Sequence, residues 1–539
     1  MNKGSLLLAF NFREPIGSPN SALENNYNTL YLPFLTSLEK HKEIRAALHF
    51  SGVLYDWFNS AKPEFFDKIK LLIKRGQVEI LTGGHYDPIL PLIPDPDKIG
   101  QIVCQTDYIK KNLGFIPRGM WIGEGSFEPH LVKHIHDAGV EYMIADHSSF
   151  GEGEFSGYYV TEEEGHTLKV FPSTGSLNEV ASFEPSGSMD TIVLAENAEK
   201  YDGVASIEEL FNKLSELKDK FSMMTFSEYA DSHPGSGRVY LKAGSDRDIL
   251  LNDIGANYLH KKMLYVSNKI ETVKRAHIIG MQDEGRANIL KDATRELWKG
   301  EGPSSFFDKG LEARTRMVLY SRLIEAENLI DSLSRRSGNY AELSVTDFDK
   351  DGESEALIAT QLLNVYVSPN DGGAVFELDY KPKMRNLIAS PSFYDNLSSG
   401  PCKFLPVRDP NEVSVRLSGE SDISGTQIKI AKTISVFAGQ SIVNVYYELE
   451  NGGDGSASFP FEVRFDLAVT EEGGKPEVFT GNNIKIIDGE NGFSVSLDLS
   501  NEADIVKRCG RSTEVSLTWK VYIKSKDKWT NKVSLLIEQ

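Results

Sequence analysis

The first 250 residues alternate short, fully apolar runs with longer segments whose apolar positions recur every three or four residues. Runs at 6–12, 46–50 and 78–81 read as buried strands, as do those at 168–171, 191–194 and 221–225. Between them the spacing predicts helices near 30–41, 65–75, 97–113 and 207–218. Another apolar run covers 118–122. Leu131, Val132, Ile135 and Ala138 then follow at helical spacing, ended by Gly139 and by a further apolar run at 140–145. Strands alternating with helices predict βαβ units closed into a parallel barrel. From about 257 to 335 the period is helical throughout, as in Leu259, Met263, Val266 and Ile270 and later Leu319 and Leu323. A polar stretch at 334–343 reads as a linker, and beyond 345 short alternating runs separated by Gly, Asn, Asp and Pro predict a β-sandwich. The expected organisation is a distorted (β/α) barrel over 1–255, a helical bundle subdomain over 256–335 and a β-sandwich over 345–539.

Composition narrows the partners. With 539 residues, 40% hydrophobic and 25% charged, the chain is a globular protein long enough for several cores. A formal net charge of −20 opposes nucleic acid and anionic membrane, which both reward basic surfaces. Cys104, Cys402 and Cys509 lie far apart without metal-ligand spacing, so disulfides are not expected. The apolar run at 6–10 is too short for a secretory signal, and no stretch approaches 18 apolar residues, so a cytoplasmic protein is expected.

Candidate chemistry starts at Glu124 in the stretch WIGEGSFEP (121–129). It lies where a buried strand gives way to a helix, the edge at which parallel barrels collect reactive groups. A carboxylate favoured by the following helix dipole is the alternative. Two further stretches extend the pattern: GQVEI followed by GGHYDP (76–80 and 83–88), and HFSG (49–52). Together with YLHKKML (258–264), they resemble glycoside hydrolase family 57 in its 4-α-glucanotransferase and α-amylase branch. The resemblance spans essentially the whole chain and implies a (β/α)7-type barrel, helices and a C-terminal β-sandwich. It implies an α-1,4-glucan or maltooligosaccharide ligand and a retaining mechanism, in which a nucleophilic and a proton-donating carboxyl group stand roughly 5 to 5.5 Å apart. Glu124 takes the nucleophile position. Glu79, His85, Trp121, Trp298, Asn11 and Arg13 take positions expected to face sugar.

The proton donor breaks the pattern. In the family it is an aspartate two residues before a glutamate; here Ala195-Glu196-Asn197-Ala198-Glu199-Lys200-Tyr201 puts Asn197 there. An amide has no proton to give at neutral pH. Loss of a general acid forfeits about 10² to 10⁴ in rate, or about 3 to 5 kcal/mol of barrier. Glu196 and Glu199 are the possible replacements, although adjacent strand residues face opposite ways, which disfavours Glu196. The family's first motif appears as Asn11-Phe12-Arg13-Glu14-Pro15 without its histidines, and Gly125, Phe127 and Lys299 also depart from the pattern. Arg13 and Lys299 would supply positive charges able to pair with Glu124 or Glu79 and hold a collapsed site.

Asp347, Asp349 and Asp351, in D-x-D-x-D-G spacing, resemble a calcium loop, and a structural Ca²⁺ is the only cofactor expected. Three functions remain open: a glucan-binding or regulatory pseudoenzyme, a weak or altered retaining enzyme using Glu124, and a scaffold that binds a protein partner or forms a homo-oligomer.

Overall fold

The computed structural model of the protein describes residues 3–122, 127–174, 176–187, 190–244, 247–279, 284–302, 312–334, 338–398, 400–471 and 475–539. They form two compact units, one of residues 1–256 with 298–309 and one of residues 257–297 with 310–539. The helices expected at 256–335, Ile254–Ile279, Glu284–Gly300 and Glu312–Ser334, fall almost wholly in the second unit, and only the segment beginning at Trp298 groups with the barrel.

In the first unit, seven strands run parallel around a ring: β1 (Gly4–Phe12), β2 (Ala46–Phe50), β3 (Val78–Ile80), β4 (Gly119–Trp121), β5 (Tyr142–Asp146), β6 (His166–Ser173) and β7 (Thr191–Asn197). The first three pair with β7 in one sheet, while β4 to β6 belong to a second. The two sheets join through single bridges, Thr82 to Met120 and Thr174 to Leu194. The expected (β/α)7-type barrel is therefore present, closed by two narrow seams. A strand at Phe221–Met224 also pairs with the first half of β1, leaving β2 the second half, and this splits the ring on that side.

The alternation in β1 assigns its faces. Leu6, Leu8, Phe10 and Phe12 join Phe34, Phe50 and Phe58 in the core beneath the helices, whereas Leu7 and Ala9 join Leu81, Ile144 and Val193 in the barrel interior. Asn11, two residues beyond Ala9, continues the inward face at the carboxyl end of the strand. Every residue of β1 is buried, which is why the sequence shows a continuous apolar run there.

The second unit holds a single antiparallel sheet of 15 strands, so the sandwich is one continuous sheet curved onto itself. Four neighbouring strands matter below: β8 (Glu412–Ile423), β9 (Thr426–Phe437), β10 (Ile442–Asn451) and β11 (Lys528–Glu538). Val415, Ile434, Val445 and Val533 point into its core. The helix Ile254–Ile279 supplies Lys262, which is fully buried and bonded to Glu377 at 2.7 Å, Asp379 at 2.8 Å and Glu327 at 2.9 Å. Lys269 bonds Glu327 at 2.8 Å and Asp331 at 2.6 Å. Despite its desolvation, Glu327 is held well below the usual carboxylate range by Lys262 and Lys269. Burial and Asp379 push Glu377 well above that range against the pull of Lys262. Both effects follow from charge placed in a poorly polarisable interior.

Candidate active site

The carboxyl ends of β4 to β7 enclose a cavity of about 250 Å³, lined by Trp121 and Ile122, by Ala145 and Asp146, by Ser173 and Thr174, and by Ala195 to Asn197. Residues 123–126, including the nucleophile position Glu124 and Gly125, lie outside the described residues.

Asn197 is held by a chain of neutral hydrogen bonds. Asn11 Nδ2 donates to Asn197 Oδ1 at 2.8 Å, and His49 Nδ1 lies 2.7 Å from Asn11 Oδ1. Because Asn11 uses its nitrogen toward Asn197, its oxygen must accept, so the network assigns the Nδ1–H tautomer to a neutral His49. The ring is completely buried, and burial with the nearby His85 lowers its pKa to about 3. Its other nitrogen has no hydrogen-bond partner among the described residues. Gly83 packs so close that a Cβ there would come within 2.5 Å of this Nε2, so only glycine permits the approach. Asp87 Oδ1 lies 3.9 Å from the same nitrogen. Desolvation pushes the Asp87 carboxyl up to about 7, with Arg13 opposing and Glu199 adding to the rise. At the site's rim, burial also raises Glu199, again opposed by Arg13. Arg13 itself is exposed, and its field acts on Asp87 and Glu199. The expected pairing of Arg13 with Glu79 is not formed.

Glu196 is only 5% exposed and is bound by Lys200 Nζ and by Tyr201 O–H. It follows Ile192 and Leu194 on the helix-facing side of β7, opposite to Asn197, as the strand period requires. The carboxylate is thus held by two donors, while Glu196 and Lys200 also border the cavity.

Three further expectations change. Glu79 is 3% exposed and accepts from the backbone N–H groups of Phe226 at 2.7 Å and Ser227 at 3.2 Å, closing the split beside β1. It belongs to the barrel interior, not to a sugar-facing wall. His85 is 3% exposed, bonds Gln105 Oε1 at 2.6 Å through Nδ1, and packs beneath Gly52. Trp298 donates from Nε1 to Asp97 at 3.0 Å and covers Gly100, so it serves packing within its unit and does not line the cavity. Trp121 does line it. Asp146, which the sequence reading missed, contributes a carboxylate to the same cavity and is held by Ser148 N–H at 2.9 Å. A lone aspartate at a strand end carries no spacing signal, although its place after the run at 140–145 was visible.

In the second unit, Asp347, Asp349 and Glu355 bring carboxylate oxygens within 4.8 Å of one another. Asp351 instead accepts from Glu353 N–H at 2.8 Å, so Glu355, from the following strand, takes the place expected for it.

Residues 11–242 match the model of glycosyl hydrolase family 57, and residues 347–390 match that of the C-terminal region of alpha-amylase/4-alpha-glucanotransferase. The chain is 30% identical over 453 residues to alpha-amylase 1 of Dictyoglomus thermophilum, covering 70% of this chain and 64% of that protein. It is 26% identical over 456 residues to the 4-alpha-glucanotransferase of Thermococcus litoralis, covering 72% and 65%. The matched stretch thus spans just under two thirds of these relatives' own length. The crystal structure of the Thermococcus litoralis 4-alpha-glucanotransferase superposes with a TM-score of 0.86 at 20% identity over the whole of both chains, which establishes a common fold.

Proposed function

Because residues 11–242 place this chain in glycosyl hydrolase family 57, we propose that its barrel cavity binds an α-1,4-glucan segment while most hydrolytic and transfer activity has been lost. The protein then serves as a glucan-binding, scaffolding or regulatory pseudoenzyme. One observation carries this reading. At the end of β7, where the resemblance expects a proton-donating aspartate, Asn197 is fixed through Asn11 to a neutral, buried His49, and the Glu196 carboxylate is already bound by Lys200 and Tyr201. An amide can hold a sugar hydroxyl in place but cannot protonate a departing oxygen. Calorimetry with maltoheptaose should give binding, and incubation with maltooligosaccharides should give neither hydrolysis nor chain exchange. Turnover that disappears in Glu124→Gln would overturn the reading; absence of heat would favour a scaffold that binds only protein.

A second reading, a weak retaining enzyme with Glu124 as nucleophile, is favoured by the Asp146 carboxylate in the cavity. It requires residual turnover that Asp146→Asn removes.

The acidic cluster of the second unit fits a structural Ca²⁺. Asp347 Oδ1 is enclosed without a hydrogen-bond partner among the described residues, and burial with nearby Asp349 and Asp351 pushes Glu355 up to about 7. Asp347, Asp349 and Glu355 would hold the ion, which would supply charge neutralisation at the start of the sheet. No helix among the described residues is long and apolar enough to cross a membrane. A cytoplasmic location, and a protein partner or homo-oligomer, remain part of the proposal.

A further inference from the structure

We propose that the outer face of the β8–β9–β10–β11 ribbon carries a second carbohydrate site, an open groove that binds a neutral α-glucan chain separately from the barrel cavity. The choice of α-glucan rests on the reading above; the groove itself does not. Strand register builds it. Arg416 stands opposite Thr433, Thr433 opposite Tyr446, and Tyr446 opposite Lys532, so four side chains form one row across four strands. Ala431, Glu448 and Thr530 form the adjacent row, two residues along and hence on the same face. Residues on the opposite face of these strands, among them Ile434, Val445 and Val533, are buried in the core.

These rows border a depression of about 350 Å³, within the range of small-molecule sites. Its shape follows from side-chain size. Ala431 and Thr433 are short and sit on β9, between the taller Arg416 on β8 and Tyr446 on β10. Lys532 Nζ stands 5.3 Å from the centroid of the Tyr446 ring on the β11 side. On the β9 side the opposite residue is Thr433, too short to cover a ring, and Tyr446 is 42% exposed. One face of a rigid phenol is therefore open above a hydroxyl-lined floor. Among the described residues, the Arg416 guanidinium and the hydroxyls of Thr433 and Thr530 have no hydrogen-bond or ion-pair partner.

A pyranose offers an apolar C–H face and a rim of hydroxyl groups that both donate and accept. An open aromatic face, a guanidinium fork, a carboxylate and hydroxyls match both features. Charges of both signs line the groove: Arg416 and Lys532 share it with Glu448, which is paired with Lys528 at 2.9 Å. With strands about 4.8 Å apart, the row spans about 14 Å, longer than one sugar ring needs.

Calorimetry of the full-length protein with maltoheptaose tests this, using Thr433→Trp to fill the groove, Tyr446→Ala to remove the ring, and Ser173→Trp to fill the barrel cavity. Thermal melting checks that each variant folds. The wild type should show two classes of site. Ser173→Trp should keep one, and combining it with either groove substitution should weaken the remaining binding at least ~10-fold, a change of about 1.4 kcal/mol. If Ser173→Trp binds no sugar while both groove variants bind as the wild type does, the groove is overturned and the barrel reading stands. If Ser173→Trp binds normally and the groove variants do not bind, the barrel reading falls and the groove stands. A wild type that gives no heat overturns both.

Discussion

Polar groups are buried at the centre of each unit, but by opposite means. Around Lys262 the second unit buries charges and pairs them, with carboxylates from Glu327, Glu377 and Asp379 at hydrogen-bonding distance. Around Asn197 the barrel gathers two amides, an uncharged imidazole and the Asp87 carboxyl, whose pKa is raised to about 7. The amides carry no charge at any ordinary pH, so this network is held by neutral hydrogen bonds where the other is held by opposite charges.

The largest effect that would break this comparison is in the charged cluster. Lys262→Met leaves three carboxylates facing one another, and chemical denaturation should show a loss of about 3 to 5 kcal/mol, the usual result of removing one partner from a buried ion pair. A loss below about 1 kcal/mol would mean that the cluster is neutralised by protonation instead.

Next is the reverse experiment in the barrel. Asn197→Asp restores a titratable group beside Asn11, and hydrolysis of maltooligosaccharides should rise at least ~10-fold if the proton donor was the decisive loss. No gain would locate the defect elsewhere in the site.

Two pH effects sharpen the contrast. His49 titrates near 6.5 when unfolded and near 3 when folded, so the unfolded chain binds the extra proton between these values and stability falls as pH drops through that window. His49→Gln should flatten the acid limb of the melting-temperature profile. Asp87 runs the other way. With a pKa near 7 when folded and 3.8 when unfolded, it keeps a proton that the unfolded chain releases, so stability falls as pH rises from about 4 to about 7. Asp87→Asn should therefore melt higher than the wild type at pH 8, and the difference should shrink toward pH 4. The smallest effect expected is that of Ca²⁺, which should raise the melting temperature of the wild type by a few degrees and leave Glu355→Gln unchanged.

The barrel strands were legible because burial on both faces leaves an uninterrupted apolar run, as in β1. The change at 197 was legible because it stands in a spaced motif. Side-chain surroundings were not. Glu79, His85 and Trp298 hold motif positions on a strand, a turn and a helix, and motif spacing does not encode which neighbours each side chain meets. Asp146 is a single acid without a pattern, and the environment of Asp87, although it lies in the GGHYDP stretch, comes from elements distant in sequence. Glu355 escaped the calcium reading because the third carboxylate of the cluster comes from the next strand and not from the turn carrying the repeat.

The ring closes through two short seams. At Thr82 the join consists of two backbone hydrogen bonds, to Gly119 and from Trp121; at Thr174, of its N–H and hydroxyl both donating to Val193. Trp121, Thr174 and Ala195 adjoin these seams and also line the cavity. The two joins can break without unpairing either sheet internally, so amide protons at Thr82, Trp121 and Thr174 are expected to exchange before those of β1.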